Sequence, residues 1–181
     1  MVIKMKTTRF KFRGTFDFDR LYKTGYNWLQ EDHFNLIEDM YKHKPPAEVE
    51  IKYHGEKKVT GYIMYMVHLR FYSQQFKQIE VVKDGKKKKM IEGRIFVETT
   101  MEVHTDYEKL WSSSPIKERL KVILEKYILL HDIDTMHADY LWYRVQELNE
   151  KLKAAIGMTS HRMAEIDRPE SYDEELKDNG E

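Results

Sequence analysis

The sequence contains no cysteine and no long apolar run. The first absence excludes disulfides, thiolate catalysis and cysteine-ligated metal sites. The longest uninterrupted apolar run, residues 62–67, is far shorter than the ~20 residues that span a bilayer. The first residues also lack the apolar segment of a signal peptide. We therefore expect a soluble protein without membrane association, in the cytoplasm or in a virus-like particle.

Sequence signatures of catalysis are absent as well. The chain has no Gly-rich phosphate loop, no nucleophile elbow, no zinc signature and no dinucleotide fingerprint. These absences favour a protein that is not an enzyme and uses no cofactor.

Net charge is also lacking, because 31 basic residues balance 31 acidic ones. This balance argues against a bulk polycation that coats nucleic acid. It conceals an asymmetry, since residues 164–181 hold eight acidic and two basic residues. Residues 164–181 thus carry −6 and residues 1–163 carry +6. The acidic residues that we expect to contact a partner are Glu170, Asp173, Glu174, Glu175 and Asp178.

The content of hydrophobic residues, 41%, and of aromatic residues, 13%, excludes wholesale disorder. We expect one domain over residues 1–158, followed by the acidic tail, residues 159–181. Alternation of apolar and polar residues predicts strands over residues 8–18, 34–44, 48–53, 61–72, 78–83 and 90–104. Asp84 and Gly85 predict a hairpin between the last two strands. Gly14 predicts a bulge or bend in the first one.

Three segments have helical patterns. Residues 20–30 predict an early helix capped by Asp19. Pro115 predicts the start of a second helix, whose amphipathic stripe includes Leu120 and Ile123. A third helix is predicted over residues 135–156, with Gly157 as its C-cap. The expected class is therefore α+β, an antiparallel sheet of about five or six strands with an early helix and two C-terminal helices packed on it.

Two resemblances accompany these patterns. Four segments carry the first one: Phe-Asp-Phe-Asp-Arg-Leu-Tyr at residues 16–22, Tyr-Lys-His-Lys at 41–44, Val-Val-Lys-Asp-Gly followed by four lysines at 81–89, and Glu-Gly-Arg at 92–94. Over residues 10–158 they resemble an uncharacterised family of small archaeal proteins from DPANN-type genomes. That resemblance implies an archaeal, soluble protein and no activity. The order of elements is similar to helix-grip (START-like) domains, in which a curved sheet wraps a terminal helix.

Two basic segments are candidates for contact with a partner or with nucleic acid. They comprise Lys4, Lys6, Arg9, Lys11 and Arg13 near the N-terminus and Lys86, Lys87, Lys88 and Lys89 after the predicted hairpin. Clustered lysines neutralise phosphates. Phe10 and Phe12 alternate with the first cluster like a base-stacking strand, although their spacing also fits a core face. The alternative is a solvated surface that protects sheet edges.

A polar pocket and a metal site are further hypotheses. The pocket would be lined by His68, Arg70, Glu98, Glu102 and His104, and its alternative is a solvated face with cross-strand ion pairs. Asp134 and His137 have the i, i+3 spacing of metal ligands on one helix face. Capping by Asp134 is the simpler explanation, so we expect no metal.

The favoured function is contact with protein, above all with copies of the same chain, in a structural particle, tube or filament. The basic body would then meet the acidic tail of a neighbour. The alternatives are a helix-grip pocket for a small apolar ligand and an RNA- or ribosome-associated factor.

Overall fold

The computed structural model describes residues 2–44, 48–83, 86–109, 111, 115–124 and 133–158. Its strands are β1 (Val2–Lys4), β2 (Thr8–Phe16), β3 (Asn35–Lys44), β4 (Glu48–Lys58), β5 (Ile63–Lys83) and β6 (Lys86–Thr105). Its helices are α1 (Phe18–Glu31), α2 (Pro115–Leu124) and α3 (Asp139–Ala155), the last preceded by a π-helical segment, Ile133–Ala138. The predicted α+β class is confirmed.

Antiparallel pairing joins all six strands of the described part in one sheet. The order runs β3, β4, β5, β6, and both β1 and β2 pair with the remaining edge of β6. The predicted hairpin is confirmed, because Lys83 pairs with Lys86. No helix among the described residues has the length and apolar character needed to cross a membrane.

One face of the sheet forms the core with α1 and α3. The apolar alternation predicted for β4, β5 and β6 is confirmed by burial of Val49, Ile51, Tyr53, Ile63, Tyr65, Val67, Leu69, Phe71, Ile91, Ile95, Val97, Met101 and Val103. The predicted inner face of the last helix is also buried, at Leu141, Val145, Leu148, Leu152 and Ala155. Burial of this area is the main force that holds the layers together.

Helix α1 begins earlier than predicted. Asp17, rather than Asp19, is the N-cap, and its carboxylate accepts a hydrogen bond from the Arg20 backbone N–H at 3.0 Å. Gly25 lies inside this helix. A Cβ at this position would stand 2.3 Å from the Tyr53 hydroxyl oxygen, so no larger residue fits without a shift. The glycine thus allows the helix to approach the sheet closely.

The sheet has a bulge in a strand where the sequence did not predict one. Gly14 pairs with Gly93 in an unbroken register, so of the predicted bulge or bend at Gly14 the bulge is wrong. A bulge instead lies in β5 between Gln74 and Lys77, and this strand joins two segments predicted separately. Gly93 accommodates it, since a Cβ there would stand 2.9 Å from the Gln75 carbonyl oxygen.

The C-terminal helices differ from their predictions in detail. Helix α2 starts at Pro115 as expected, but Leu120 and Ile123 of its predicted stripe are exposed. The α-helical part of the last helix starts at Asp139, four residues later than predicted. Gly157 ends it as predicted, with φ +78° and its N–H donating to the Ala154 carbonyl. The acidic tail, including Glu170, Asp173, Glu174, Glu175 and Asp178, lies outside the described residues.

Candidate functional site: the polar face of the sheet

The face of the sheet opposite α1 and α3 is polar, and we call it the polar face. Pairing in register places its side chains in rows across β2, β6, β5 and β4. One row contains two aromatic residues and a lysine, and the neighbouring row contains two arginines. The first comprises Lys11, Phe96, Tyr72 and Glu50, and the second Arg13, Arg94, Gln74 and Glu48.

A recess of about 200 Å³ opens on this face. It is lined by Asp39, Lys52, Tyr53, His68, Leu69, Arg70, Glu98 and Thr100. The structure therefore brings together His68, Arg70 and Glu98 of the predicted pocket. Glu102 and His104 do not line the recess and instead pair with each other, with 2.8 Å between Oε2 and Nε2.

Ion pairs link the charged residues around the recess. Arg70 donates from Nε to Glu50 at 2.8 Å and from an η nitrogen to Glu98 at 3.4 Å. Burial acts to raise the pKa of Glu50, but the hydrogen bonds from Lys52 and Arg70 outweigh it, and the pKa is lowered. These groups satisfy one another, as expected of cross-strand pairs on a solvated face.

Two of the predicted basic contacts are engaged within the chain. Lys4 lies 3.0 Å from Glu102, and Arg9 lies 3.0 Å from Glu98. Burial acts to raise the pKa of Glu102, and hydrogen bonds from Lys4 and His104 outweigh it and lower the pKa. Lys6 is exposed between them in sequence, near the β1 end of the sheet.

Lys11 and Arg13, the other two predicted basic residues of β2, lie in the next two rows of the sheet. Arg13 is directly opposite Arg94, and Lys11 is directly opposite Phe96. The Phe96 ring lies 6.1 Å from that of Tyr72 on the next strand, at an angle of 33°. We call these five residues the arginine–aromatic patch. Lys11, Arg13, Arg94 and Phe96 are exposed.

Beyond the patch, β5 and β6 continue as a two-stranded ribbon. Gln74 is the last residue of β5 that pairs with β4, and Ile91 is the last residue of β6 that pairs with β2. The ribbon carries three exposed lysines, Lys87, Lys88 and Lys89, and we call it the lysine ribbon. The side chain of Lys86 lies outside the described residues.

One lysine of the ribbon is tied to helix α1. Lys88 Nζ lies 2.6 Å from the Asp17 carboxylate, whereas Lys87 is 3.8 Å from Glu80. Burial acts to raise the pKa of Asp17, but the hydrogen bond of Lys88 and the Arg20 N–H hold it below its usual range. The ribbon is thereby anchored over the start of α1.

The aromatic residues of β2 do not belong to this surface. Phe10 is buried and Phe12 packs against the core, as their spacing predicted. The rings exposed to a ligand are instead on β5 and β6. Sequence alternation placed Tyr72 and Phe96 on the polar side, but only the register brings them beside Lys11.

Of the two predicted metal ligands, only the side chain of His137 is described, and it is engaged elsewhere. His137 uses Nδ1 in a 2.7 Å hydrogen bond with the Tyr65 hydroxyl, and the side chain of Asp134 lies outside the described part.

Three other potential metal ligands meet on the polar face. They are Asp39, His54 and His68, whose ligand atoms lie within 4.8 Å of one another. We call this group the histidine cluster. His54 follows directly on the predicted strand 48–53, and extending that alternation by one residue would have found it.

Charges around His68 act in both directions. Burial lowers the pKa of His68, the carboxylates of Glu102 and Asp39 act to raise it, and His54 adds to the lowering. The net direction is downward, which favours the neutral imidazole.

Comparison with known proteins adds little to this geometry. No family model matches the chain, and no curated protein matches it. Among solved structures, a crystal structure of a hypothetical protein from Helicobacter pylori aligns with 10% identity over 82% of this chain and 84% of that one. Its TM-score of 0.34 is too low to support an argument about fold or function.

Proposed function

We propose that the protein binds single-stranded nucleic acid across the polar face of its sheet, without catalysing a reaction. The observation that carries the proposal is the arginine–aromatic patch, in which two arginines stand directly opposite each other beside two adjacent rings. Phosphate and base are the two halves of such a ligand, and the patch offers a partner for each.

The arginine pair supports the phosphate half. Like charges directly opposite each other destabilise a sheet, so the arrangement has a cost in the free protein. Neither Arg13 nor Arg94 has an acidic partner in the part of the chain that the structure describes. The nearest acid along the strand, Glu92, faces Lys77 across the sheet. Arginine suits phosphate because its planar guanidinium offers paired donors.

The ring pair supports the base half. Phe96 is 36% exposed although it stands in the middle of a sheet, between β2 and β5. Bases of a single strand stack on aromatic rings of open sheets, and any base can do so. Such contacts are not available to a duplex, whose bases are already stacked.

One residue of the lysine ribbon, Lys88, lies on the same side of β6 as Arg94, where it also pairs with Asp17. Lys88 lies six residues from Arg94 along β6, a distance of about 20 Å for an extended strand. A backbone of several nucleotides can follow this path. By strand alternation Lys89 points to the other side of the ribbon, directly opposite Glu80, so it adds only long-range attraction to a polyanion.

Binding of a labelled oligouridylate of about 12 nucleotides, followed by fluorescence anisotropy at several salt concentrations, tests the proposal. Each phosphate contact contributes about −0.7 to the slope of log K against log salt. Arg13→Gln with Arg94→Gln should therefore make the slope shallower by about 1.4. The control is Lys117→Gln with Arg119→Gln, which removes the same charge from exposed positions on α2.

A further variant separates stacking from charge. Phe96→Ala should weaken binding by about 5- to 150-fold, equivalent to the ~1–3 kcal/mol of one stacked base, and leave the salt slope unchanged. Absence of binding by the wild type, equal binding of duplex, or equal losses in the α2 control would contradict the proposal.

Self-association is a second candidate, favoured by a different observation. Ile116, Leu120 and Ile123 of α2 are 79%, 52% and 54% exposed, and their spacing puts them on one helical face. An exposed apolar stripe of this kind marks an interaction surface. The chain would then associate through α2, in addition to the predicted contact between basic body and acidic tail.

Light scattering over a range of protein and salt concentrations tests this second candidate. A multimer that dissociates with Leu120→Glu but withstands Tyr41→Glu, a change at another exposed apolar side chain, supports it. A monomer at all concentrations excludes it.

A further inference from the structure

The histidine cluster carries an inference that is independent of nucleic-acid binding. We propose that Asp39, His54 and His68 form a binding site for one divalent transition-metal ion of the Zn²⁺ type.

Asp39 reaches the cluster through a bulge in its strand. Strand β3 has a bulge in which Glu38 faces Tyr53 and Met40 faces Lys52, so that Asp39 is the additional residue. Both carboxylate oxygens of Asp39 lie 2.8 Å from His54 Nδ1. Bulges redirect single side chains and are frequent beside functional sites. Here the bulge brings a carboxylate to the polar face at an edge strand.

The two histidines of the cluster face each other on neighbouring strands. His54 and His68 are directly opposite on β4 and β5, with ring centroids 5.3 Å apart. Neither ring nitrogen of His68 has a hydrogen-bond partner in the described part of the chain. A metal ion would give this half-buried ring a partner.

The ligand atoms of the cluster suit a transition-metal ion in type and in spacing. Two imidazoles and one carboxylate are ligands of zinc and its neighbours rather than of Mg²⁺ or Ca²⁺. Bonds of about 2.0–2.1 Å in a tetrahedron separate ligand atoms by about 3.3 Å. The present atoms lie within 4.8 Å of one another, so modest rotations of side chains would complete the geometry.

An open recess lies beside the ligands of the cluster. Asp39 and His68 line the recess of about 200 Å³, whose wall continues to Lys52, Arg70 and Thr100. Three protein ligands with an open fourth position are typical of zinc sites that exchange water or a small ligand. A bound ion here would remain accessible from solvent.

Titration of chelator-treated protein with Zn²⁺ by calorimetry, and with Co²⁺ by visible absorption, tests the site. We expect about one ion per chain and a Co²⁺ spectrum of a tetrahedral centre. Asp39→Asn and His68→Asn should weaken binding by at least ~100-fold, more than the loss typical of residues that only support a ligand. His104→Asn is the matched control, because this histidine shares the polar face but is bonded to Glu102.

Asp39 is exposed in an edge strand, so Asp39→Asn should keep the fold even if His68→Asn does not. Weak binding that all variants share, or that His104→Asn removes, would overturn the proposal, as would absence of binding by the wild type. Asp39→Asn should also leave oligonucleotide binding unchanged, so the two proposals fail separately.

Discussion

At the scale of single residues, the molecule depends on a few close approaches that composition does not reveal. Gly25 is an example, because an isolated glycine in a helix is normally a weak point and here it makes room for the Tyr53 hydroxyl. Tyr53 is fully buried and its hydroxyl is directed at the backbone of α1. The sequence showed the glycine and the tyrosine, and only the packing of helix on sheet relates them.

Gly25→Ala should therefore destabilise the protein by about 1–3 kcal/mol, although the same change in an exposed helix would stabilise it by about 1 kcal/mol. In a Tyr53→Phe background the next atoms lie 3.5 Å or more from the new Cβ, at ordinary contact distance. There the substitution should be neutral or stabilising. Urea unfolding of the four proteins of this cycle measures the effect, and equal losses in both backgrounds would contradict the account.

At the scale of elements, most strands were predictable because apolar residues alternate along them, whereas the three-residue strand β1 was not predicted. The start of α1 was missed because the apolar residues of β2 and α1 run together, so the pattern does not show that Asp17 is the cap. The bulges were missed for a related reason. One additional residue, such as Asp39, shifts the register without altering the composition, and the contacts of His54 with Asp39 and His68 depend on it.

The anchoring of the lysine ribbon on α1 gives a prediction at this scale. Asp17→Ala should cost about 0.5–2 kcal/mol, whereas Asp17→Asn keeps the cap and loses only the pair with Lys88. Because the folded pKa of Asp17 is lowered, its ionic contribution is present above the unfolded value of about 3.9. This contribution is lost as the pH falls through the lower folded pKa.

Wild type and Asp17→Asn should thus differ in stability near neutral pH and converge in strong acid. Chemical denaturation at a series of pH values measures this difference, and Lys87→Ala, which leaves the Lys88 pair intact, is the control. A difference that persists unchanged below the folded pKa would contradict the assignment.

At the scale of the whole molecule, the net charge of zero divides between two segments of the sequence. The sequence separated a basic body from an acidic tail, and the structure separates the body further. Lys4 and Arg9 pair with acids of β6, while Arg13 and Arg94 gather directly opposite each other, two rows beyond Arg9. This gathering could not be predicted, because it depends on the register of β2 against β6.

The most direct test of nucleic-acid binding is therefore its location. Amide chemical shifts of the isotope-labelled protein, followed during titration with the oligouridylate at low salt, report which residues meet the ligand. The account predicts that the largest changes lie at residues 11–13 of β2, 72–74 of β5 and 94–96 of β6, with smaller ones along the lysine ribbon. Changes confined to the ribbon, or to the β1 end of the sheet around Lys4, would contradict it.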